Sequence, residues 1–211
     1  MKFQNSSLQE IVDKTLEKVK TFNSRILLPA LREADKEPFK DELWDGPMNI
    51  NGCALYVFST CLVDLLRPTQ VVELGGAMGM WSLCVLHSLP ENSKLYSITL
   101  PEDGLDFKFV VDKYENFYPV RGDDLNLNNW PKDLDLGKTD IWYIDTIHEY
   151  DQVVKELNLY KQFFKKGALL LFDDIHLNLG MESIWKEIQD QYESIDITDP
   201  CHYTGWGISK V

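Results

Sequence analysis

No apolar run in this 211-residue chain approaches the roughly 20 residues of a membrane span, and no repeat or low-complexity tract is visible. Cysteine is scarce. Cys53, Cys61, Cys84 and Cys201 form no CxxC or Cys/His pair, and three of them lie in apolar stretches, so they read as reduced, buried thiols. Positive charge is also short: 21 Lys and Arg against 34 Asp and Glu give a formal charge of −13. That is the wrong sign for sequence-tolerant binding to nucleic acid or an anionic membrane, and suits a neutral or cationic small ligand. The opening MKFQNSSLQEIVDK has one early Lys and no apolar run behind it, so no secretory signal is visible and a cytoplasmic location is expected.

What is present is an ordinary globular composition, 44% hydrophobic and 26% charged with 12 Gly, which excludes wholesale disorder, collagen-like repeats and coiled coil. The length predicts one domain with a small appendage.

Leu8, Ile11, Val12, Leu16, Val19 and Phe22 step at helical spacing behind Ser6 and Ser7, which predicts an amphipathic helix over residues 7–22. Leu27 to Pro47 carries three prolines and reads as a connector draped over a binding site. Leu55 to Leu66 reads as a helix stopped at Pro68. Strand and helix patterns then alternate. Strands are expected at Val71–Leu74, Lys94–Leu100, Tyr118–Arg121, Asp140–Ile144 and Ala168–Phe172, with short β-prone pieces at Ile195–Thr198 and Trp206–Val211. Helices are expected over Trp81–Leu89, through Phe107, Val110, Val111 and Tyr114, through Val153, Leu157, Tyr160 and Phe164 with Lys165-Lys166-Gly167 as its closing turn, and through Met181, Ile184, Trp185, Ile188 and Tyr192. The alternation predicts a doubly wound α/β sheet. Residues 1–68 form a helical cap and connector in this reading, and residues 69–211 one compact ligand-binding unit.

In such a sheet ligands bind beyond the carboxyl ends of the strands, and here those ends are acidic. The first strand runs into Glu73-Leu74-Gly75-Gly76-Ala77-Met78-Gly79, where Gly75 and Gly79 allow a tight turn and a close approach of backbone to ligand. The spacing is not the GxGxxG of dinucleotide binders. The segments Ile144-Asp145-Thr146-Ile147-His148-Glu149-Tyr150 and Leu171-Phe172-Asp173-Asp174-Ile175-His176 bring three carboxylates to two neighbouring strand ends. Their mutual repulsion is relieved by solvent, protons or a hard divalent cation held through oxygen. The plainer readings are a helix cap or a hydrogen bond to a neighbour for His148, helix or turn caps for Asp173 and Asp174, and a loop histidine for His176. Trp185 and Trp206 read as core, whereas Trp44 suits a substrate lid.

The strand-end E-x-G-x-x-x-G resembles the first motif of the class I S-adenosylmethionine-dependent methyltransferases. The resemblance implies a Rossmann-like methyltransferase fold, with a mainly parallel central sheet, helices on both faces and an N-terminal helical cap. It implies that Glu73 orients the loop, and that Gly75, Gly76 and Gly79 approach the amino acid end of S-adenosylmethionine. Trp81 and Asp145 would lie beside the cofactor and Asp123 near the adenine. At the second strand Thr99 stands where that family usually has an acid for the ribose, with Glu102 and Asp103 the nearest carboxylates.

D-x-x-H-x-Y, a helix ending in Lys-Lys-Gly, an apolar strand and Asp-Asp is similar to the metal-dependent small-molecule O-methyltransferases, including those acting on macrolide and aminocoumarin sugars. The resemblance spans roughly residues 70–211. It implies Mg2+ on Asp145, Asp173 and Asp174, His148 as general base, and a hydroxylated small-molecule acceptor such as a sugar. Many relatives have Gly where this chain has Thr146. Methyl transfer from a sulfonium needs an oxygen nucleophile in line with the methyl carbon, and metal coordination with a nearby base makes an alcohol competent. The surplus acid would also favour the cationic cofactor over its neutralised product. A nicotinamide-dependent oxidoreductase and a non-catalytic domain that binds S-adenosylmethionine or S-adenosylhomocysteine are the competing readings. The apolar face of residues 8–22 serves either a homo-oligomer or the monomer's own core.

Overall fold

The computed structural model describes residues 5–23, 26–27, 49–77, 79–101, 111, 113–198 and 204–211, with side chains of residues 49–54 left aside. Trp44 and most of the proline-bearing connector, Glu102, Asp103, Phe107, Val110 and Cys201 lie outside the described residues, as does the side chain of Cys53.

Helix α1 (Leu8–Val19) begins where the Ser7 hydroxyl accepts from the Glu10 N–H, a cap worth about 1 kcal/mol. It buries Leu8, Ile11, Val12 and Thr15 and packs against α2 (Asn49–Leu66), so the apolar stripe closes the monomer's own core. Strand β1 (Gln70–Leu74), helix α3 (Met80–Leu86) and strands β2 (Lys94–Thr99), β3 (Phe117–Arg121) and β4 (Ile141–Ile144) follow. Then come α4 (Tyr150–Tyr160), β5 (Leu169–Asp173), α5 (Leu179–Gln191), β6 (Glu193–Asp196) and β7 (Trp206–Lys210).

The seven strands form one sheet in the order β3-β2-β1-β4-β5-β7-β6. Strands β1 to β5 are mutually parallel where they pair, and β7 runs antiparallel between β5 and β6. This is the expected mainly parallel, Rossmann-like methyltransferase fold. Strand period decides the layers. Val71, Tyr143, Leu171 and Ile208 enter one core with α1, α2 and α3, while Val72, Trp142 and Leu170 enter the other with α4 and α5. The chain leaves β1 toward β2 on one side and later returns to β4 on the other, so the topological switch falls between β1 and β4, where such sheets open a crevice.

Two expectations need correction. Helix α4 stops at Tyr160 and continues as a tight turn over Lys161–Phe163, rather than running through Phe164 to a basic last turn. The reason is tertiary: the Lys165 ammonium is drawn 2.7 Å from the buried Asp140 carboxylate and donates to the Lys138 carbonyl, away from the helix end. Likewise, α3 gives way at His87 to a tighter turn in which the Ser88 N–H donates to the Val85 carbonyl. Cys61 and Cys84 form no disulfide and are buried, as expected. Among the described residues no helix is long and apolar enough to cross a membrane.

Candidate active site

Beyond Leu74 the chain turns sharply. The N–H groups of Gly75 and Gly76 both donate to the Ile98 carbonyl at 3.0 Å, which leans the loop over the end of β2. Gly75 has φ +88°, and a Cβ there would stand 1.8 Å from the Asp145 carbonyl oxygen. The loops after β1 and β4 therefore touch through backbone, and only glycine fits the contact. At Gly76 a Cβ would meet the Ser97 hydroxyl at 2.0 Å.

A cavity of about 230 Å³ opens on this turn, lined by Tyr56, Glu73, Gly75, Gly76, Ala77, Met80, Trp81 and Asp145. Glu73 lies beneath it, buried, accepting from the Ser82 hydroxyl. Burial, opposed by the hydrogen bond from Ser82, pushes its carboxyl up to about 7. Trp81 is 2% exposed; its indole N–H donates to Ser59 Oγ at 2.9 Å, and its ring stacks on Tyr143 at 4.3 Å. It is at once core and cavity wall. Gly79 ends the turn as the residue before α3, with φ 67°.

Thr99 closes β2 and is buried, its carbonyl accepting from the Gly122 N–H at 2.9 Å. Asp123 is exposed in the turn after β3, where its Oδ1 accepts from the Leu125 N–H. Both stand at carboxyl ends on the β2 and β3 side of the crevice, as the sequence placed them.

The acidic rim forms because β4 and β5 are neighbours in register, Ile144 beside Phe172, so Asp145 and Asp173 emerge together. The Tyr143 hydroxyl lies 3.2 Å from Asp145 Oδ2 and 3.1 Å from Asp173 Oδ2; with one proton to give, it serves one carboxylate at a time. Burial, then the charges of Asp145 and Asp173, hold the Tyr143 phenol well above its ordinary range. Burial and the neighbouring Asp145 and Asp174 push Asp173 up to about 8.

His148 Nε2 stands 3.2 Å from Asp145 Oδ1 and 3.5 Å from Asp174 Oδ2. Burial alone would lower the imidazole pKa, but Asp145, Asp174 and Asp173 outweigh it and hold the group above its ordinary value. Asp174 takes a left-handed φ of 54°, a conformation Asp tolerates, and its Oδ1 accepts from the Thr204 hydroxyl. Of the plainer readings, a helix cap does not describe His148, but a hydrogen bond to its neighbour Asp145 does, and Asp173 Oδ1 accepts from the Asp174 N–H at 3.0 Å. The residue capping α4 is Glu149, which makes no side-chain cap bond, and α5 is capped by Asn178. The plainer reading does hold for His176, which pairs with Asp196 at 2.7 Å, and for Trp185 and Trp206, which are core.

Among the described residues, Asp145, His148 and Asp173 offer ligand atoms that all lie within 4.8 Å of one another. Two carboxylates and an imidazole suit a divalent cation, and the crowding that raises Asp173 is what such a cation relieves. Asp174 is one contact further out, reached through His148. Sequence reasoning missed Tyr143, although it shares a strand face with Asp145 at the i, i+2 spacing of a strand. It also missed Tyr56 on the cavity wall.

A family model described as a methyltransferase domain matches residues 72–175. No curated protein sequence matches the chain. Solved structures do. An S-adenosylhomocysteine-bound methyltransferase of Podospora anserina is 9% identical with a TM-score of 0.64, over 96% of each chain. A Geobacter sulfurreducens methyltransferase is 16% identical with a TM-score of 0.56, over 87% of this chain and 88% of that one. Aeropyrum pernix fibrillarin, with natively bound S-adenosylmethionine, is 18% identical with a TM-score of 0.54, over 69% of this chain and 67% of its own. At such identities the likeness establishes the fold.

Proposed function

We propose, from the methyltransferase-domain match over residues 72–175 and the fold shared with solved methyltransferases, that this class I S-adenosylmethionine-dependent methyltransferase transfers the methyl group to a hydroxyl of a small molecule with the help of Mg2+. One observation carries the reading: Asp145 belongs both to the cavity wall on the glycine turn and to the acid and imidazole cluster. A cofactor seated on the first would thus present its sulfonium beside the second.

In this reading the backbone of Gly75, Gly76 and Gly79 takes the amino acid end of the cofactor, with Glu73 and Trp81 fixing the cavity wall. Thr99 and Asp123 face its ribose and adenine. Asp145 and Asp173 would hold the cation, with Asp174 behind them against His148, and a bound Mg2+ would acidify and orient the acceptor hydroxyl. His148 accepts the proton that the hydroxyl gives up; its place between two carboxylates stabilises the imidazolium that results. Ile147, Leu177 and Leu179 are exposed apolar side chains beside this rim, and the bond from Asn178 Nδ2 to the His148 carbonyl, 2.9 Å, holds their two loops together. They suit an acceptor that joins its hydroxyl to an apolar body, as glycosylated natural products do.

Calorimetric titration with S-adenosylmethionine and S-adenosylhomocysteine, with Mg2+ and then with excess EDTA, tests the proposal alongside an NADH control. Micromolar binding of the sulfur ligands, and a Mg2+ heat that disappears in Asp173→Ala, support it. A folded protein that binds neither sulfur ligand sinks it.

A further inference from the structure

A second pair of acids lies behind the site. Glu156, on the inner face of α4, is fully buried, and Asp124, in the loop after β3, is 8% exposed. Glu156 Oε1 accepts from the Thr146 hydroxyl and from Gln152 Nε2, each at 2.7 Å. Its other oxygen, Oε2, and Asp124 Oδ2 are both buried without a donor, and the two carboxyls lie within hydrogen-bonding reach of each other. Two buried carboxylates with facing orphaned oxygens are costly, whereas one shared proton supplies the missing donor. Burial and the charge of Asp124 push Glu156 up to about 9, so the proton stays at neutral pH.

The pair joins three elements. Asp124 follows Asp123 on the adenine side of the crevice, and its carbonyl accepts from the Tyr160 hydroxyl, which in turn accepts from Trp130 Nε1 at 2.8 Å. Thr146 directly follows Asp145, whose carbonyl abuts Gly75. Thr146 thus couples the Asp145 loop to Glu156 through its hydroxyl.

We propose that Glu156 is a positioning residue of the methyl-transfer site: sharing one proton with Asp124, it holds Thr146 and thereby the loop that carries Asp145 and His148, and ties that loop to the adenine side. The groups facing it are Asp124, Thr146 and Gln152, with Asp123 and Tyr160 adding negative or acidic neighbours. The inference rests on the site assigned above.

The test measures S-adenosylhomocysteine affinity of the full chain from pH 7 to 10 in wild type and Glu156→Gln, with amide exchange of residues 145–149 followed in parallel. The glutamine amide donates to Asp124 and accepts from Thr146 at every pH, so it copies the protonated acid permanently. Wild type should lose affinity and amide protection above about pH 9, several-fold by pH 10, relative to Glu156→Gln. The ligand's own amine titrates equally in both and cancels in the ratio. Glu156→Leu should bind at least about tenfold more weakly at pH 7.5. Identical alkaline profiles in wild type and Glu156→Gln would overturn the inference, whatever Glu156→Leu does. A wild type that binds no S-adenosylhomocysteine at pH 7.5 would instead overturn the site, and the inference with it.

Discussion

Replacing Gly75 with Ala tests the contact on which the crevice is built. The residue has φ +88°, where an L side chain costs about 1 kcal/mol. Its new Cβ would stand 1.8 Å from the Asp145 oxygen and 2.5 Å from the Asp145 carbonyl carbon, where ordinary contact begins at 3.4 Å. The loops must then part by about 1.6 Å, and no rotamer relieves the clash because both atoms are backbone. Asp145 is not free to retreat, since its N–H donates to the Leu74 carbonyl at 3.0 Å. Overpacking of this kind adds about 1–3 kcal/mol, for a total of about 2–4 kcal/mol. In a chain of this size that lowers the melting temperature by about 5–15 °C. Calorimetry should show the loss, and S-adenosylhomocysteine affinity should fall by at least tenfold, because a displacement of about 1 Å near reacting groups is felt strongly. Gly137→Ala, where a Cβ meets only the Asp135 carboxylate at 3.3 Å, is the control and should be near neutral. A Gly75→Ala variant melting within about 2 °C of wild type with unchanged affinity would refute the reasoning.

Three further outcomes are expected. Cation binding at the rim should release a proton, because Asp173 is held up to about 8: Mn2+ affinity should climb toward pH 8 by up to about tenfold per unit and then level. Calorimetry in two buffers of different ionisation enthalpy reads the proton, and a flat profile would exclude Asp173 as a ligand. His148→Gln should lower turnover and weaken its pH dependence between about pH 6 and 8; an unchanged profile would point to another base. Lys165→Met leaves the buried Asp140 carboxylate without its cation, at a cost of about 2–4 kcal/mol in denaturant titration at pH 7. Burial pushes Asp140 up, but Lys165 and Thr69 outweigh it and hold its pKa low. That stability is therefore present above the unfolded value near 4 and lost as pH falls through the folded value. The gap between variant and wild type should close in acid, and a gap independent of pH would refute the assignment.

Much of the fold was legible because its strands are short apolar runs bounded by glycine and acid, a pattern with few other solutions. The same runs pointed to Asp145 and Asp173, since strand ends in a parallel sheet converge. What escaped was set by encounters between distant segments. Lys165 looked like a helix terminator, yet Asp140 claims it from another element. Glu156 sits three residues after Val153 and four before Tyr160, on the apolar stripe itself. A lone acid at such a position was the readable sign of a buried partner, although nothing in the spacing named Asp124. The split between Asp173 and Asp174, one pressed between carboxylates and the other turned to Thr204, depends on the left-handed φ at Asp174, which consecutive identical letters conceal.

The strand order also governs how the molecule treats its neighbours in a crowded solution. The apolar strands β1, β4 and β5 are internal, and the margins of the sheet are β3 and β6. Strand β3 carries Pro119, which offers no N–H to an incoming strand. Strand β6 is four residues long, with exposed Glu193 and Asp196 at its ends. Short, charged or proline-bearing edges resist the addition of foreign strands. The chain thus keeps its most amyloid-competent segments out of reach of other copies as long as its margins stay folded.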